Sequence, residues 1–431
     1  VYSKQKPSFI IIKHHIFIHF HKSLFTFLKM LELEVMPERS LGCDQWEFIL
    51  GMHFSQAVTI LQSQVGVIRG IQVVYSDSNP LSKDLELNLT QDGIRLKFDP
   101  ITQRLKIIEI YNLKLVRLKY CGLIFNSDDV FPSMEQIEHS FGATLPGLYS
   151  PSTDDYILYF RGVSFYFPVS KCQGDWDHSR SGNVPTTSPP CAYLVTIYRG
   201  TTESSLELSP MPLKQYGREV YLEGASFLQN HSLTLHLYTE GISRWSEPKK
   251  ESIKRTINLG DKAQVIATML GAPNRIFFKS EDKMRIHSPC LDRHTAFRRS
   301  DYFFNYFTLG LDVLFDAKTH KAKKFILHTN YPGHYNFNIY HRCEFLLNLP
   351  VDNCDDLESN TIQVTAYTKW DRISERLKVS PKPVVLNRAS SINTKNLFGA
   401  TLCYGYRDFI FEIMPNQHIA SLTIYKSDYI Y

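Results

Sequence analysis

The chain has 431 residues, of which 43% are hydrophobic and 21% are charged, and it contains 28 Phe and 24 Tyr. This apolar content is enough to offset the entropy cost of folding, so it excludes a chain that is disordered throughout. The formal charge of +5 is small for this length, and bulk electrostatics therefore indicate no nucleic-acid partner. The length favours two or three domains.

The N-terminal 29 residues are apolar and contain no acidic residue, but Lys13, Lys22 and several histidines interrupt the apolar run. A membrane-spanning helix needs roughly 20 nearly uninterrupted apolar residues, so we expect no transmembrane span here. A transit or signal segment is the alternative, although no A-x-A-like cleavage site follows. We interpret residues 1–29 as a non-native or disordered extension, with Met30 as the natural start.

The eight cysteines are widely scattered, and no two of them have C-x-x-C spacing. Their even number allows a disulfide framework. The size of the chain and the wide spacing instead favour reduced thiols in a cytoplasmic protein.

The first predicted elements are a helix and an antiparallel meander. Helical spacing of the apolar residues Phe54, Ala57, Val58 and Leu61 predicts an amphipathic helix. Apolar and polar residues then alternate through residues 85–110, interrupted by turns, which predicts three antiparallel strands with one face buried. Further on, Ser133 and Gln136 have the spacing of a capping box for a helix that runs to Phe141.

The same order of elements returns about two hundred residues later. Ala263, Ile266, Ala267 and Leu270 again have helical spacing, and a second meander follows. Ungapped alignment of the meanders pairs Gly93 with Gly310, Asp99 with Asp316, and Thr102 with Thr319; the tetrapeptide Phe-Gly-Ala-Thr occurs at 141–144 and at 398–401. We interpret Asp99 and Asp316 as turn formers and not as a pair of catalytic carboxylates.

These observations predict an α+β fold of two tandem related lobes, residues 40–168 and 257–430, each with helices packed on an antiparallel sheet. Residues 169–256 are predicted to be a strand-rich insertion between the lobes. Within it, residues 173–190 are rich in Gly, Ser, Pro and Thr, which predicts a mobile loop.

The run HTNYPGHYNFNIYHRCEF, residues 328–345, is the strongest candidate for chemistry because it contains three histidines and one cysteine. His328, His334, His341 and Cys343 lack the close spacing of zinc ligand pairs. A hydrolase that uses Cys343 with His341 or His334 is the alternative hypothesis, although no nucleophile elbow is present. We favour a buried strand and predict no catalytic, cofactor or metal site. Its polar tips, Tyr335, Tyr340 and Arg342, are the candidate partner surface.

Two further features are candidates for contacts. Lys321, Lys323 and Lys324 follow a predicted turn and are candidate ligands for lipid phosphates. Attraction to an anionic membrane is worth roughly 1 kcal/mol per basic residue, so three lysines give only weak binding. The aromatic run DYFFNYFTLG, residues 301–310, fits either a buried strand or part of an interface.

Several runs together closely resemble the phagosome assembly factor family: PERSLGCDQWEF, LNLTQDGIRLKFD, SFGATLPG, KPVVLNRASS and, most specifically, the block over 279–345, which begins with KSEDKMRIHSP. The resemblance implies a non-enzymatic cytoplasmic protein in autophagy. It also implies a complex with a β-propeller protein of the breast carcinoma amplified sequence three type, recruitment to preautophagosomal (phagophore) structures, and association with phosphoinositides. The run GDKAQVIATMLGAP followed by GLDVLFD is similar to a small module of bacterial outer-membrane assembly lipoproteins and β-lactamase inhibitor proteins, which bind other proteins.

Overall fold

The computed structural model describes residues 8–12, 15–19, 30–169, 191–202, 207, 209, 220–228, 231–242, 248–279, 300–351, 361–377, 382–387 and 398–426. The chain divides into two compact units, Val1–Gln215 and Tyr216–Tyr431. The predicted mobile loop over 173–190 lies outside the described residues. Of the predicted extension over 1–29, two short strands are described.

The first unit contains fifteen of the described strands, two α-helices and a 3-10 helix. In chain order they are β1 (Ser8–Ile12), β2 (His15–His19), β3 (Leu31–Met36), β4 (Ser40–Gly42), β5 (Glu47–Ile49), α1 (Phe54–Ser63), β6 (Ile71–Val74), β7 (Leu85–Leu89), β8 (Ile94–Phe98), β9 (Leu105–Ile110), the 3-10 helix Leu113–Leu115, β10 (Val116–Tyr120), β11 (Leu123–Asn126), α2 (Met134–Phe141), β12 (Leu148–Ser150), β13 (Asp155–Phe160), β14 (Val163–Pro168) and β15 (Leu194–Tyr198).

The second unit contains thirteen of the described strands, again with two α-helices and a 3-10 helix. In chain order they are β16 (Tyr221–Leu228), β17 (Ser232–Ile242), β18 (Pro248–Asn258), α3 (Ala263–Leu270), β19 (Arg275–Phe278), β20 (Tyr302–Tyr306), the 3-10 helix Phe307–Leu309, β21 (Leu311–Phe315), β22 (Ala322–His328), β23 (Phe345–Pro350), β24 (Thr361–Thr365), α4 (Trp370–Leu377), β25 (Val384–Leu386), β26 (Thr401–Tyr406), β27 (Phe409–Ile413) and β28 (Ile419–Tyr425).

Each unit has one large and one small sheet. The large sheets have the orders β1-β2-β6-β7-β8-β9-β15-β14-β13-β12 and β19-β20-β21-β22-β28-β27-β26-β25. The small sheets have the orders β11-β10-β3-β4-β5 and β18-β17-β16-β23-β24. In each small sheet one pair is parallel, β10 with β3 and β16 with β23, and the other pairs are antiparallel. Apart from β1 and β2, the described strands of the two units therefore occur and pair in the same order.

Both sheets and both helices of a unit contribute to its core. In the first unit, the Phe125 ring from the small sheet lies 6.0 Å from the Phe165 ring of the large sheet, and Phe141 from α2 contacts both rings. Helix α1 buries Phe54, Ala57, Val58 and Leu61, so its predicted face is confirmed.

The second unit has one apolar cluster that joins the same four components. Leu235 comes from the small sheet, Phe325 from the large sheet, Ile266 from α3 and Ile373 from α4. All four side chains are fully buried. Burial of apolar area of this kind is the main favourable term in folding.

The predicted α+β fold of helices packed on a sheet is wrong, because the chain is mostly β-structure. The described α-helices are only 8–10 residues long, and each unit is built from two sheets. Many strands here have only three to six residues, which is too short to display a clear alternating period. Residues 194–198, inside the predicted insertion, form a strand of the first unit's large sheet, and β16–β18 form three of the five strands of the second unit's small sheet.

Two details of the repeated pattern differ from the sequence alignment. The shared tetrapeptide Phe-Gly-Ala-Thr occupies different places in the two units. Residues 141–144 begin at Phe141, the last residue of helix α2, whereas residues 398–401 end at Thr401, the first residue of strand β26. Helix α4, which the sequence pattern did not reveal, has the chain position in the second unit that α2 has in the first.

Candidate functional site

The run over 328–345 links the two sheets of the second unit. His328 ends β22 in the large sheet, and Phe345 begins β23 in the small sheet. Between them, residues 329–344 form neither helix nor strand and contain successive turns over 332–340; we call residues 329–344 the connecting loop. The prediction of a strand here is wrong. The loop is tied to the sheet because the backbone N–H of Cys343 donates to the His328 carbonyl at 2.8 Å and that of His341 donates to the Phe307 carbonyl at 2.8 Å.

A buried carboxylate fixes the start of this loop. Asp312 Oδ2 lies 2.9 Å from His328 Nε2, and the Tyr340 hydroxyl donates to both carboxylate oxygens at 2.9 Å. Asn305 Nδ2 donates to Oδ1 at 2.7 Å. The His328 and Tyr340 rings stack with centroids 3.9 Å apart. All four side chains are buried, so this arrangement satisfies a buried charge instead of presenting it to a ligand.

A second buried carboxylate fixes the middle of the loop. Glu412 Oε1 accepts from Thr401 Oγ1 at 2.8 Å and lies 3.3 Å from His334 Nε2, while Oε2 accepts from Ser421 Oγ at 2.7 Å. Thr401, Glu412 and Ser421 lie on three neighbouring strands, β26, β27 and β28, whereas His334 comes from the connecting loop. His334 therefore ties the loop to the sheet.

The predicted partner surface is divided between interior and exterior. Tyr340 is buried in the Asp312 cluster, and burial raises the pKa of its hydroxyl, with the Asp312 charge adding to the effect. Arg342 is also buried: its Nε donates to the Thr329 carbonyl at 2.8 Å, and its guanidinium lies 4.8 Å from the centroid of the Tyr331 ring. Tyr335 remains at the surface, with 38% of its area exposed. The three side chains do not form one surface.

Cys343, the nucleophile of the hydrolase hypothesis, is fully buried. Burial raises the pKa of its thiol, with a smaller contribution from the Glu344 charge. A thiolate is the reactive form of cysteine, so this environment opposes nucleophilic attack. His341 packs its ring against Tyr221 at a centroid distance of 5.4 Å. The geometry does not provide the activated thiolate that such a hydrolase needs.

The three candidate lysines do not converge either. Lys323 Nζ lies between two carboxylates, 3.1 Å from Asp301 Oδ2 and 2.7 Å from Asp316 Oδ2. Lys324, the next residue of strand β22, points to the opposite face, where its Nζ lies 5.5 Å from the centroid of the Tyr425 ring. Lys321 is exposed just before β22, where its backbone forms an isolated antiparallel bridge with Lys262.

Asp316 and its counterpart Asp99 form turns, as predicted. Asp316 Oδ1 accepts from the Thr319 backbone N–H at 2.8 Å and from its hydroxyl at 3.0 Å. Asp99 Oδ1 makes the same two bonds with Thr102, at 2.7 and 2.9 Å. The Lys323 ammonium and these turn donors hold the pKa of Asp316 well below its usual range.

An exposed apolar strand was not expected from the sequence. In β19, Ile276, Phe277 and Phe278 are 51%, 42% and 63% exposed. Of the two alternatives for the aromatic run over 301–310, the buried strand is the one observed: the run forms β20 and the 3-10 helix after it, with Phe304 and Tyr306 buried. The sequence signal that could have predicted this exposed strand is the short run Arg-Ile-Phe-Phe, residues 275–278, which precedes a charged segment.

Two chemical features can be stated for the described ranges. Within them, no three His, Cys, Asp or Glu side chains are grouped so as to hold a metal ion. None of the helices in these ranges combines the length and the apolar character of a membrane span.

Known proteins similar to the chain identify its family. Residues 44–425 match the family model of phagosome assembly factor 1. A PHAF1 protein of Drosophila melanogaster is 54% identical over 415 residues, which cover 92% of this chain and 95% of the fly protein. PHAF1 proteins of Arabidopsis thaliana and Caenorhabditis elegans are 32% and 31% identical, covering 88% and 92% of this chain and 90% and 95% of their own lengths. No solved structure matches significantly. The predicted family is thus confirmed: the chain belongs to the phagosome assembly factor 1 family.

Proposed function

We propose that the chain acts in phagosome and autophagosome assembly as a non-enzymatic binding protein. Membership of the phagosome assembly factor 1 family supports the process. The observation that supports binding over catalysis is the environment of the connecting loop: His328, His334 and Cys343 are buried, and each of these two histidines contacts a buried carboxylate. Cys343 lies in a position that favours the neutral thiol.

The proposed partner is a β-propeller protein of the breast carcinoma amplified sequence three type, which the family resemblance implies. In this proposal the cytoplasmic chain and the propeller form a complex that is recruited to preautophagosomal structures. Affinity purification from fed and starved cells tests it. A β-propeller protein recovered in near-equal amount with the chain is the expected result, and recovery of the chain without such a protein would overturn it.

Catalysis by Cys343 is tested in the same preparation. The double variant Cys343→Ser, His341→Gln should retain the propeller partner provided that its circular dichroism and melting temperature show it is folded. A hydrolytic activity that disappears in this folded variant would favour the hydrolase instead.

We also propose a weak contact with phosphoinositide membranes through the lysines at the start of strand β22. Lys323 already pairs with Asp301 and Asp316, so the contact is assigned to Lys321 and Lys324. The charge reversal Lys321→Glu, Lys324→Glu leaves that ion cluster intact. Its matched control is Arg104→Glu, at the position equivalent to Lys321 in the first unit.

Flotation with vesicles that contain phosphatidylinositol phosphates measures this contact. We expect the double variant to float less than the wild type and the control to float normally. Attraction of roughly 1 kcal/mol per basic residue makes the effect largest at low salt. Equal flotation of wild type and double variant would remove the lipid proposal while leaving the protein-binding proposal intact.

A further inference from the structure

Strand β19 ends the large sheet of the second unit, and in the described part of the chain its only strand partner is β20. The two strands are antiparallel, with Phe277 opposite Phe303 and Phe278 opposite Tyr302. Just beyond the strand, the Lys279 backbone N–H donates to the Asp301 carbonyl at 2.9 Å. Hydrogen-bonded pairs alternate with non-bonded pairs along an antiparallel ladder. Ile276 and Phe278 therefore direct their backbone N–H and C=O groups away from β20, toward the open edge.

The side chains of this edge are apolar and exposed. More than half of the surface of Ile276 and of Phe278 is accessible, and Phe277 is 42% exposed on the opposite face. Val265 and Met269 of the preceding helix α3 are also exposed. Proteins commonly protect edge strands with charges, prolines, bulges or covering segments, because an open edge templates the pairing of another chain. We call Ile276, Phe277 and Phe278 the β19 edge.

The equivalent strand of the first unit is β6, and there the edge is extended by another strand. Strand β2 pairs antiparallel with β6, with Ile16 opposite Val73. In β6, Ile71 and Val73 are only 2% and 4% exposed. The same position in the fold thus accepts an added antiparallel strand in one unit.

The charges beside the β19 edge indicate what kind of strand it accepts. Arg275 and Lys279 are exposed at its two ends. If two copies of β19 paired antiparallel over their full length through their outward residues, Ile276 of one copy would face Phe278 of the other, and Arg275 would face Lys279. Like charges directly opposite each other destabilise a strand pair. A second copy is therefore disfavoured, and acidic residues on a different protein complement both ends.

We propose that the β19 edge docks an extended segment of a partner protein, which adds to the sheet as an antiparallel strand. Apolar side chains of the segment pack against Ile276 and Phe278, and acidic side chains face Arg275 and Lys279. This mode combines main-chain hydrogen bonds with side-chain selection. The inference rests on the proposed binding function and names the surface that performs it.

Photo-crosslinking in cells tests the surface whatever the identity of the bound protein. Benzoylphenylalanine replaces Phe278 in the full chain, and the crosslinked peptide is sequenced by mass spectrometry. The expected product joins position 278 to one extended segment of another protein, with apolar residues at alternate positions and acidic neighbours. The matched control carries the same photoreactive residue in place of Val385, an exposed apolar residue on β25 at the other edge of the same sheet.

Two variants then test the mode of binding to that segment. Phe278→Pro removes an outward N–H without removing a bond to β20, so the fold should survive. Arg275→Glu, Lys279→Glu reverses the charges at both ends. Each should weaken binding of the crosslinked partner at least about tenfold. Val385→Pro, at the opposite edge, should leave it unchanged.

The outcomes separate this inference from the proposed function. If the wild type binds a β-propeller protein but position 278 yields no crosslink to it or to another partner, the proposed docking at the β19 edge is wrong and the proposed binding function stands. A crosslink to the expected kind of segment on a protein without a β-propeller supports docking at the β19 edge and contradicts the proposed β-propeller partner. Crosslinks only within residues 280–299 of the same chain, or only to a second copy, would overturn the edge proposal.

Discussion

The Nε2 atom of His328 lies 2.9 Å from Oδ2 of Asp312 inside the second unit, and both side chains are more than 90% buried. The two residues stand on neighbouring strands, β22 and β21, at the place where the connecting loop leaves the sheet. The Tyr340 hydroxyl closes the cluster from the loop side. A run rich in histidine and tyrosine is thereby used to hold a long connection between two sheets.

Removal of the carboxylate should destabilise the second unit strongly. Asp312→Ala leaves the buried side chains of His328 and Tyr340 without their shared acceptor, and each buried polar group left unsatisfied costs about 1–3 kcal/mol. Urea denaturation of the variant and the wild type measures the difference. Glu32→Ala is the control, because Glu32 pairs with Lys119 at the surface and its loss should not change stability measurably. A similarly small change for Asp312→Ala would contradict the structural role of the cluster.

Gly310 should not tolerate a side chain. Its φ of +63° is unfavourable for other residues, and an added Cβ would lie 2.4 Å from the His341 carbonyl oxygen of the connecting loop. Gly310→Ala is expected to lower the free energy of unfolding by more than about 1 kcal/mol. Gly405→Ala, where a Cβ meets nothing within 4 Å, is the matched control. Thermal melting that fails to separate the two variants would contradict the close packing of the loop on β21.

His418 should make the second unit sensitive to acid. Burial, together with the charges of Lys369 and Arg342, lowers the pKa of its imidazole to about 4. An imidazole in the unfolded chain has a pKa of about 6.5, so protons bind the unfolded chain more strongly. Stability is therefore lost as the pH falls from about 6.5 toward 4, by up to about 3 kcal/mol. His418→Gln should flatten this part of the stability profile measured by urea denaturation, and an unchanged slope would contradict a buried neutral imidazole.

Asp92 in the first unit should have the opposite pH dependence. Burial raises the pKa of its carboxyl to about 6, although the Arg69 backbone N–H bond opposes the shift. The protonated carboxyl favours the fold at low pH, and this contribution is lost as the pH rises through about 6. Asp92→Asn should therefore raise the free energy of unfolding at pH 8 by about 2 kcal/mol and have little effect at pH 4. A destabilised variant at pH 8 would show that the carboxylate is better satisfied than its burial indicates.

Local features of the fold could be predicted because their causes are close together in the chain. The face of α1 follows from four apolar residues at helical spacing, and the Asp99 turn requires partners only two and three residues away. The two-sheet architecture could not be predicted in this way. Strand β10 pairs in parallel with β3, more than eighty residues earlier, and short strands such as β4 give little periodic signal.

The connecting loop could not be predicted because its partners are distant. His334 meets Glu412, which is 78 residues further along the chain, and Tyr340 meets Asp312, which is 28 residues earlier. Sequence alone places these side chains together in one run and leaves their burial undetermined. The matching strand orders of the two units support the proposed tandem duplication, whose aligned pairs include Gly93 and Gly310, with φ values of +65° and +63°.

Alkylation of the native protein by iodoacetamide at pH 8, followed by peptide mass spectrometry, tests most directly whether the loop is scaffold or active site. Cys121 and Cys191 are exposed and should react readily, whereas Cys343 should react only after urea unfolds the second unit. Alkylation of Cys343 in the folded protein at the rate of Cys121 would show an accessible thiolate in the connecting loop and would contradict a protein that acts by binding alone.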